Sequence, residues 1–250
     1  MKLLKIGGSA ITDKSDYKKA RPEQIELIAK QIAGLWKQGQ RDMVLVHGAG
    51  SFGHKLVIRH KLDDGIETED QKLGLADTHL ACAELSLLVV KALVGQGVPA
   101  IPVQPSDIII SRNKRISEFR KETVMNYLSS GYLPVLYGDM VPDVELGGSV
   151  CSGDQIMAWL GRHAEFLVFA TNVDGVLDDK GNVIEQINEE NFQEISKHLK
   201  QNENDVTGAM KGKIQELLEL GRTSYIVNAS KPERISDILM GKETICTKIE

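Results

Sequence analysis

The chain has 250 residues, of which 42% are hydrophobic and 26% charged, and it carries a net charge of -5. This globular composition suits one large domain or two small ones, and the lack of a basic excess argues against nucleic acid as a main partner. Three widely spaced cysteines without a C-x-x-C pair favour a reduced, cytoplasmic protein, and no uninterrupted apolar run is long enough to predict a membrane span.

The first half of the chain alternates short apolar runs with segments of helical periodicity. The apolar start ends at Gly7 after a few residues, which predicts a strand and not an export signal. The predicted elements are a strand over 2–6, a helix over 23–38, a strand over 43–46, a helix beginning near Ser51, a long helix over 69–95, a strand over 100–103, a hairpin over 108–117 and a helix over 118–130.

The long helix predicted over 69–95 has a regular apolar pattern. Six apolar residues repeat at alternating spacings of three and four, which places them on one face. They are Leu73, Ala76, Leu80, Ala83, Leu87 and Val90. The second half of this helix is apolar nearly all round, which indicates deep packing.

The second half of the chain continues the alternation of strands and helices. The predicted elements are a strand over 133–137, a hairpin over 140–150, a helix over 153–162 capped by Ser152, a strand over 165–170, a hairpin over 176–187, helices over 189–199 and 210–220, a strand over 224–227, a helix over 232–239 and a strand over 244–248. Such alternation predicts an α/β fold in which helices cover both faces of a mainly parallel sheet.

A glycine-rich loop, HGAGSFGH, follows the strand predicted over 43–46. Its three glycines let backbone N–H groups approach an anion, and the histidines at its two ends, His47 and His54, can donate to a phosphate oxygen. The same glycines spell G-x-G-x-x-G, the dinucleotide fingerprint. No apolar strand ending in an acidic residue follows about 20 residues later, so dinucleotide binding is disfavoured.

Two further segments place lysines beside small residues. Lys5 ends the first strand just before Gly7-Gly8-Ser9, which suits the charge of a transferring phosphoryl group, although a lysine at an edge strand is an equally good interpretation of these residues alone. Lys211 and Lys213 fall in the first turn of a predicted helix, where cations are unfavourable unless an anion lies between them. A solvated lysine pair remains the alternative.

Three aspartates follow predicted strands. Asp139 is interpreted as a turn residue or helix cap, whereas Asp154 is freer to orient lysines or hold Mg²⁺ through water because Ser152 is the better cap. Asp174 lies in the loop after a buried strand, where α/β proteins usually bind ligands. The other histidines, His60, His79, His163 and His198, lack metal-ligand spacing and are interpreted as surface or structural residues. No protein metal site is predicted.

Together these blocks resemble the amino acid kinase superfamily and, within it, the isopentenyl phosphate kinases. The matching blocks are KIGGSAITDK (5–14), HGAGSFGH (47–54), YGD (137–139), SGD (152–154), TNVDGV (171–176) and DVTGAMKGK (205–213). HGAGSFGH is the most specific of them, and it points to the branch of isopentenyl phosphate and fosfomycin kinases. The resemblance covers essentially the whole chain.

The resemblance implies a homodimer of open αβα sandwiches with a mainly parallel central sheet. It implies one domain over 1–250, whose N-terminal part, about 1–148, binds the phosphate acceptor, and whose C-terminal part, about 149–250, binds ATP and Mg²⁺. The implied reaction is ATP-dependent phosphorylation of isopentenyl phosphate to the diphosphate, for isoprenoid synthesis by an alternative mevalonate route. A kinase of another small phosphate or phosphonate, such as fosfomycin, and a non-catalytic nucleotide-binding module remain alternatives.

The resemblance also implies roles for individual residues. His54 would bind the acceptor's phosphate, with backbone contacts from Ala49, Gly50 and Gly153. Lys5, Lys14 and Lys213 would neutralise the transferring phosphoryl group, and Asp154 would organise these lysines. ATP would also contact Gly7, Gly8, Ser9, Gly50, Asp174 and Gly208. A prenyl tail needs an apolar pocket beside His54, for which Leu75, Ala76 and Thr78 are candidates, with simple core packing as the alternative.

Overall fold

The computed structural model describes residues 1–13, 15–199 and 209–250. Lys14 and Gly208, both expected at the site, lie outside the described residues. In chain order the elements are β1 (Lys2–Ile6), α1 (Gly8–Ile11), α2 (Pro22–Lys37), β2 (Met43–His47), α3 (Gly50–His60), α4 (Glu69–Gly95), β3 (Ala100–Pro102), α5 (Pro105–Ile108), β4 (Ile109–Arg112), β5 (Arg115–Phe119), α6 (Glu122–Ser129), β6 (Leu133–Tyr137), β7 (Asp139–Val141), β8 (Ser149–Cys151), α7 (Gly153–Gly161), β9 (Leu167–Thr171), β10 (Gln186–Ile187), α8 (Glu189–His198), α9 (Ala209–Leu220), β11 (Ser224–Asn228), α10 (Pro232–Leu239) and β12 (Thr247–Ile249).

The central sheet has the strand order β10-β12-β11-β9-β1-β2-β6-β3. Its neighbouring strands run parallel except for the antiparallel pair β11 and β12. β1 is a central strand, with Lys5 level with Val46 of β2 and with Phe169 of β9. Lys5 is therefore not the edge-strand lysine of the alternative interpretation. The chain turns to opposite sides of β1 to form β2 and β9, and ligands of α/β proteins bind at such a reversal.

Helices cover both faces of this sheet, which confirms the predicted αβα sandwich. The main strands are continuous apolar runs, as expected where a parallel sheet is buried on both sides. One apolar cluster packs α2, α4 and α10 on the first face, through residues such as Ile32, Leu85 and Ile235. A second cluster packs α7 and α9 on the other face, through residues such as Met157 and Ile214.

Helix α4 has its predicted bounds but buries a different face. The predicted apolar face is largely in solvent, because Leu73, Leu80 and Leu87 are 71%, 57% and 49% exposed. The buried face instead contains Thr78, Ala81, Cys82, Leu85, Val89 and Leu93. A helix that is apolar nearly all round shows its period in the sequence, but only packing against neighbours selects the buried side.

Helix α4 is also long and apolar enough to cross a membrane by length and composition alone. Its most apolar 18 residues have a mean hydropathy of 1.5, and 44% of that stretch is buried inside the protein. The helix packs against α2, α3 and β6. A core helix of this kind meets the same criterion as a membrane span.

Two predicted boundaries are wrong for reasons of pairing. The helix expected over 118–130 begins only at Glu122, because β5 continues to Phe119, which pairs with Ile109. The hairpin expected over 176–187 is reduced to one bridge between Leu177 and Val183. Its last residues instead form β10 and pair with β12.

Candidate functional site

Two glycine-rich segments, Gly7-Gly8 after β1 and Gly48-Ala49-Gly50 after β2, are called the glycine loops here. They touch backbone to backbone. A Cβ atom on Gly8 would lie 2.3 Å from the nitrogen of Gly50, so only glycine permits this approach. Gly50 has a positive φ of +52°, which glycine adopts without strain. Thr12 ties the loops together: its Oγ1 donates to the Gly8 carbonyl oxygen at 2.8 Å and accepts from the Ser51 N–H at 3.0 Å. No sequence motif marked Thr12 for this role.

A cavity of about 130 Å³ opens at the carboxyl ends of β1, β2 and β6. Six of the residues expected at the site line it: Lys5, Gly8, Ala49, His54, Gly153 and Asp154. Gly7, Ser9 and Gly50 lie in the adjoining glycine-rich segments: Gly7 directly precedes α1, Ser9 is in α1 and Gly50 begins α3. Helices α3 and α7 begin at the cavity, at Gly50 and Gly153, and the first turn of a helix attracts anions through its free N–H groups and its dipole.

A carboxylate between two lysines forms one side of the cavity. Lys5 Nζ lies 2.8 Å from Asp154 Oδ2, and Lys213 Nζ lies 3.4 Å from Asp154 Oδ1. Burial lowers the pKa of Lys5. Burial opposes ionisation of Asp154, but the charges of Lys5 and Lys213 outweigh it and hold the pKa of that carboxyl below its usual value. Two lysines and one carboxylate leave a net positive charge beside the cavity.

The two histidines of the glycine-rich loop have different surroundings. His54 is exposed in α3 and lines the cavity. His47 is buried, stacks on Tyr137 with ring centroids 5.6 Å apart, and has Nδ1 3.1 Å from the Gly48 carbonyl oxygen. Burial lowers the pKa of His47 to about 4, so its imidazole is neutral at pH 7. Of the pair, His54 is the one that lines the cavity.

Asp174 lies apart from this cavity, in the loop after β9. Its Oδ1 accepts from Asn228 Nδ2 at 2.9 Å and from Arg234 Nη1 at 2.7 Å, and it lies 3.5 Å from Lys231 Nζ. The hydrogen bond from Asn228 and the charges of Arg234 and Lys231 hold the pKa of Asp174 below its usual value. These contacts join the loop after β9 to the end of β11 and the first turns of α10. The contact of Asp174 with ATP stays a prediction.

The interpretation of Asp139 as a turn residue or helix cap is wrong. Asp139 is buried at the start of β7, lines the cavity, and lies 2.8 Å from Nδ1 of His79. His79, interpreted as a surface or structural histidine, is thus the partner of a buried carboxylate. Sequence reasoning missed the pair because 60 positions separate its members.

The candidates for the apolar pocket have three different outcomes. Thr78 lines the cavity. Leu75 packs in the neighbouring apolar cluster with Val57 and Met140, both of which line the cavity. Ala76 is exposed on α4 and does not take part in the described lining.

The comparisons with known proteins agree with this geometry. The model of the amino acid kinase family matches residues 1–228. The chain is 34% identical to the isopentenyl phosphate kinase of Methanothermobacter thermautotrophicus, with 100% of this chain and 98% of the relative covered, and 30% identical to that of Arabidopsis thaliana, with 91% and 87% covered.

Solved structures give the same result. An X-ray structure of an isopentenyl phosphate kinase superposes with a TM-score of 0.85 at 33% identity, and a product complex of the T. acidophilum isopentenyl phosphate kinase superposes with 0.79 at 30% identity, each with both chains fully covered. The chain therefore belongs to the amino acid kinase family and, within it, to the isopentenyl phosphate kinases.

Proposed function

We propose that this protein transfers the γ-phosphoryl group of ATP to isopentenyl phosphate, giving isopentenyl diphosphate and ADP. One observation carries the proposal: a single small cavity combines a phosphate-binding end with an apolar end. Lys5 and His54 line the first, whereas Val57, Met140 and Val150 line the second. A monophosphate with a short hydrocarbon tail matches both ends.

The chemistry requires a phosphate to attack another phosphate. An oxygen of the acceptor's phosphate forms a bond to the γ-phosphorus, and the bond from that phosphorus to the bridging oxygen of ADP breaks. No general base is needed because the attacking oxygen is already ionised at neutral pH. The main obstacle is repulsion between two anions, which cationic side chains and positioning offset.

The residues around the cavity divide this work. His54 would donate to the acceptor's phosphate, supported by the backbone of Ala49, Gly50 and Gly153. Lys5 and Lys213 would neutralise the transferring group, and Asp154 would keep their ammonium groups in place. Lys14 is proposed as a third lysine from the family resemblance alone.

ATP would bind on the other side of the lysine cluster. We propose contacts with Gly7, Gly8, Ser9, Asp174 and Gly208, in addition to those of Lys5, Gly50 and Lys213. In this arrangement residues 1–148 bind the acceptor and residues 149–250 bind ATP, with further contacts to ATP from Lys5, Gly7, Gly8, Ser9 and Gly50 of the N-terminal part.

Mg²⁺ is proposed as the partner of ATP. The described residues contain no group of three His, Cys, Asp or Glu side chains that could hold a metal ion, and Asp154, a carboxylate of the cavity lining, is engaged by two lysines. The ion would therefore be held mainly by phosphate oxygens and water, as is usual for Mg²⁺ in kinases. When bound, it neutralises phosphate charge.

We also propose that the protein is a cytoplasmic homodimer. Leu73, Leu80, Leu87 and Val94 recur every seven residues along α4, and all four are exposed. Seven-residue spacing forms one stripe along a helix, which suits pairing with the same helix of a second copy. The three free cysteines support a reducing compartment.

An acceptor panel tests the function. The purified protein is given ATP and Mg²⁺ with isopentenyl phosphate, dimethylallyl phosphate, fosfomycin or glycerol 3-phosphate, and ADP release and the phosphorylated product are measured. We expect the highest kcat/KM for isopentenyl phosphate. No preference for either prenyl phosphate would refute the proposal. Binding of ATP without turnover of any acceptor would favour the non-catalytic module.

A further inference from the structure

The pair formed by His79 and Asp139 lies at the acceptor cavity but has no part in the phosphoryl transfer described above. His79 Nδ1 lies 2.8 and 3.0 Å from the two carboxylate oxygens of Asp139. The Asp139 side chain has no exposed surface, whereas that of His79 is 28% exposed. Asp139 is a lining residue of the cavity, but its carboxylate lies just behind the wall, covered by neighbouring groups that include the His79 imidazole.

Asp139 is held from three elements. Its carboxylate accepts from His79 of α4, from the N–H of Met140 in β7 at 2.8 Å, and from the N–H of Ser106 in α5. These hydrogen bonds fix the start of β7, whose residues Asp139 and Met140 line the cavity. Gly138, the preceding residue, lies beside the backbone at the starts of α3 and α7, since a Cβ on it would lie 3.4 Å from the nitrogen of Ala49 and 3.5 Å from that of Gly153.

The surroundings of Asp139 make the charge of His79 important. Among the other residues that line the cavity, Val57, Cys82, Met140, Val150 and Cys151 have apolar or weakly polar side chains, and the Thr78 hydroxyl donates to the Gly74 carbonyl oxygen at 2.7 Å. An ionised carboxylate in such surroundings is costly unless it is paired. It would also repel an anionic acceptor. The hydrogen bond with Asp139 raises the pKa of His79, and burial raises the pKa of Asp139, so both shifts favour a proton shared between the two side chains.

We propose that His79 and Asp139 act as positioning residues that select the acceptor's tail: as a neutral pair they make this end of the cavity fit for an uncharged hydrocarbon tail. Loss of His79 alone would leave the Asp139 carboxylate, just behind the cavity wall, without its counter-charge. The cavity would then reject an apolar tail and accept one that carries a cation. This inference rests on the proposed function, because it assumes that the cavity binds the acceptor.

Three variants separate this role from a merely structural one. His79→Leu removes the counter-charge at similar size, Asp139→Asn removes the charge but keeps the shape, and the double variant removes both charges. For His79→Leu we expect the KM for isopentenyl phosphate to rise ~10-fold or more, with the KM for ATP within about twofold. The double variant is expected to regain most of that loss, since no bare carboxylate remains.

A second acceptor gives the sharper readout. 4-Aminobutyl phosphate carries an ammonium that can pair with Asp139. We expect His79→Leu to raise the ratio of kcat/KM for 4-aminobutyl phosphate over isopentenyl phosphate by ~10-fold or more, and the double variant to return it to the wild-type ratio. If His79→Leu does not fold, His79→Asn, which keeps a donor without a charge, is expected to shift the same ratio by about threefold or more.

The outcomes distinguish failure of this inference from failure of the proposed function. If the wild-type protein does not phosphorylate isopentenyl phosphate, the proposed function fails. If it does, but the double variant is as impaired as His79→Leu, or the acceptor ratio does not change, the pair is only structural and the inference is overturned. Equal changes in the KM values of ATP and of the acceptor would also overturn it.

Discussion

Lys5 in β1 and Asp154 in α7 form an ion pair of 2.8 Å at the point where the two central glycine loops meet. The Lys5 side chain is only 10% exposed, so its charge depends on a nearby carboxylate. Asp154 also faces Lys213 at 3.4 Å. One carboxylate therefore holds two ammonium groups in place and still leaves one net positive charge, which can stabilise a transferring phosphoryl group.

Removing this carboxylate is expected to impair the transfer step. Asp154→Asn keeps the side chain's shape, but it leaves Lys5 and Lys213 to repel each other. It therefore favours the neutral form of the buried Lys5 amine. We expect kcat to fall about 100-fold, in the range typical of a lost electrostatic group. Steady-state kinetics measure it, with thermal unfolding as a check on folding. Asp179→Asn, an exposed acid on the surface, is the matched control and should leave kcat unchanged. A similar kcat for both variants would rule out the role of Asp154.

His54 is expected to act on the acceptor and not on ATP. His54→Ala removes one donor to the acceptor's phosphate, and a hydrogen bond to a charged group is worth about 1.5–3 kcal/mol, which corresponds to a ~10- to 100-fold rise in the acceptor's KM. The KM for ATP should change little. His163→Ala, also an exposed histidine but outside the cavity, is the control. Equal losses for both substrates would place His54 in the wrong half of the site.

Two glycine-to-alanine changes should have opposite effects on stability, because only one of the two glycines lies at the contact between the glycine loops. In Gly50→Ala the new Cβ would lie 2.1 Å from Thr12 Oγ1, in a backbone with a positive φ. We expect a loss of about 1–3 kcal/mol in the free energy of unfolding, together with loss of activity. Gly34→Ala in α2 meets nothing within 4 Å and should raise stability by about 0.5–1 kcal/mol. Urea unfolding measures both, and a neutral Gly50→Ala would contradict the contact.

His47 predicts a loss of stability in mild acid. Burial lowers its pKa from 6.5 to about 4, so between these values the unfolded chain binds the proton more readily than the folded protein does. The contribution of His47 is complete above pH 6.5 and falls as the pH approaches 4, by about 3 kcal/mol in total. His47→Phe keeps a ring beside Tyr137 but cannot titrate.

The acid dependence of unfolding compares the two proteins. Urea unfolding at several pH values between 7 and 4 should show a shallower loss of stability for His47→Phe than for the wild type. Carboxylates such as Asp154 contribute to both proteins alike. Identical slopes would show that His47 is accessible to protons in the folded state.

The exposed stripe on α4 predicts which substitution would dissociate the proposed homodimer. Leu80→Lys places a charge in the middle of the proposed interface, where burying an unpaired charge is costly. We expect it to shift the protein from dimer to monomer in light scattering and analytical ultracentrifugation. Leu27→Lys changes a leucine that is similarly exposed, at 50%, on α2, and it should leave the assembly unchanged. A wild-type monomer, or a dimer that survives Leu80→Lys, would contradict this interface.

Local sequence patterns were sufficient for most of the elements. The length of α4 followed from its periodicity, because hydrogen bonds and caps act between near neighbours, and the Thr68–Gln71 capping box lies at its start. The αβα arrangement followed from the alternation of strands and helices. The glycines of the two loops could be recognised in the sequence because only glycine lets two backbones come so close. Their residue type therefore indicates a contact between segments that are far apart in the chain.

The tertiary structure decided which faces and partners these elements have. The exposed side of α4 could not be read from its sequence, because the second half of the helix is apolar nearly all round and has no wide polar face to mark the outside. Asp139 and His79 have ordinary neighbours in the sequence, and their pairing exists only because β7 packs against α4. The sequence by itself therefore determined the elements and the glycine loops, whose physical causes are local, whereas only the folded chain decided which charges are buried together.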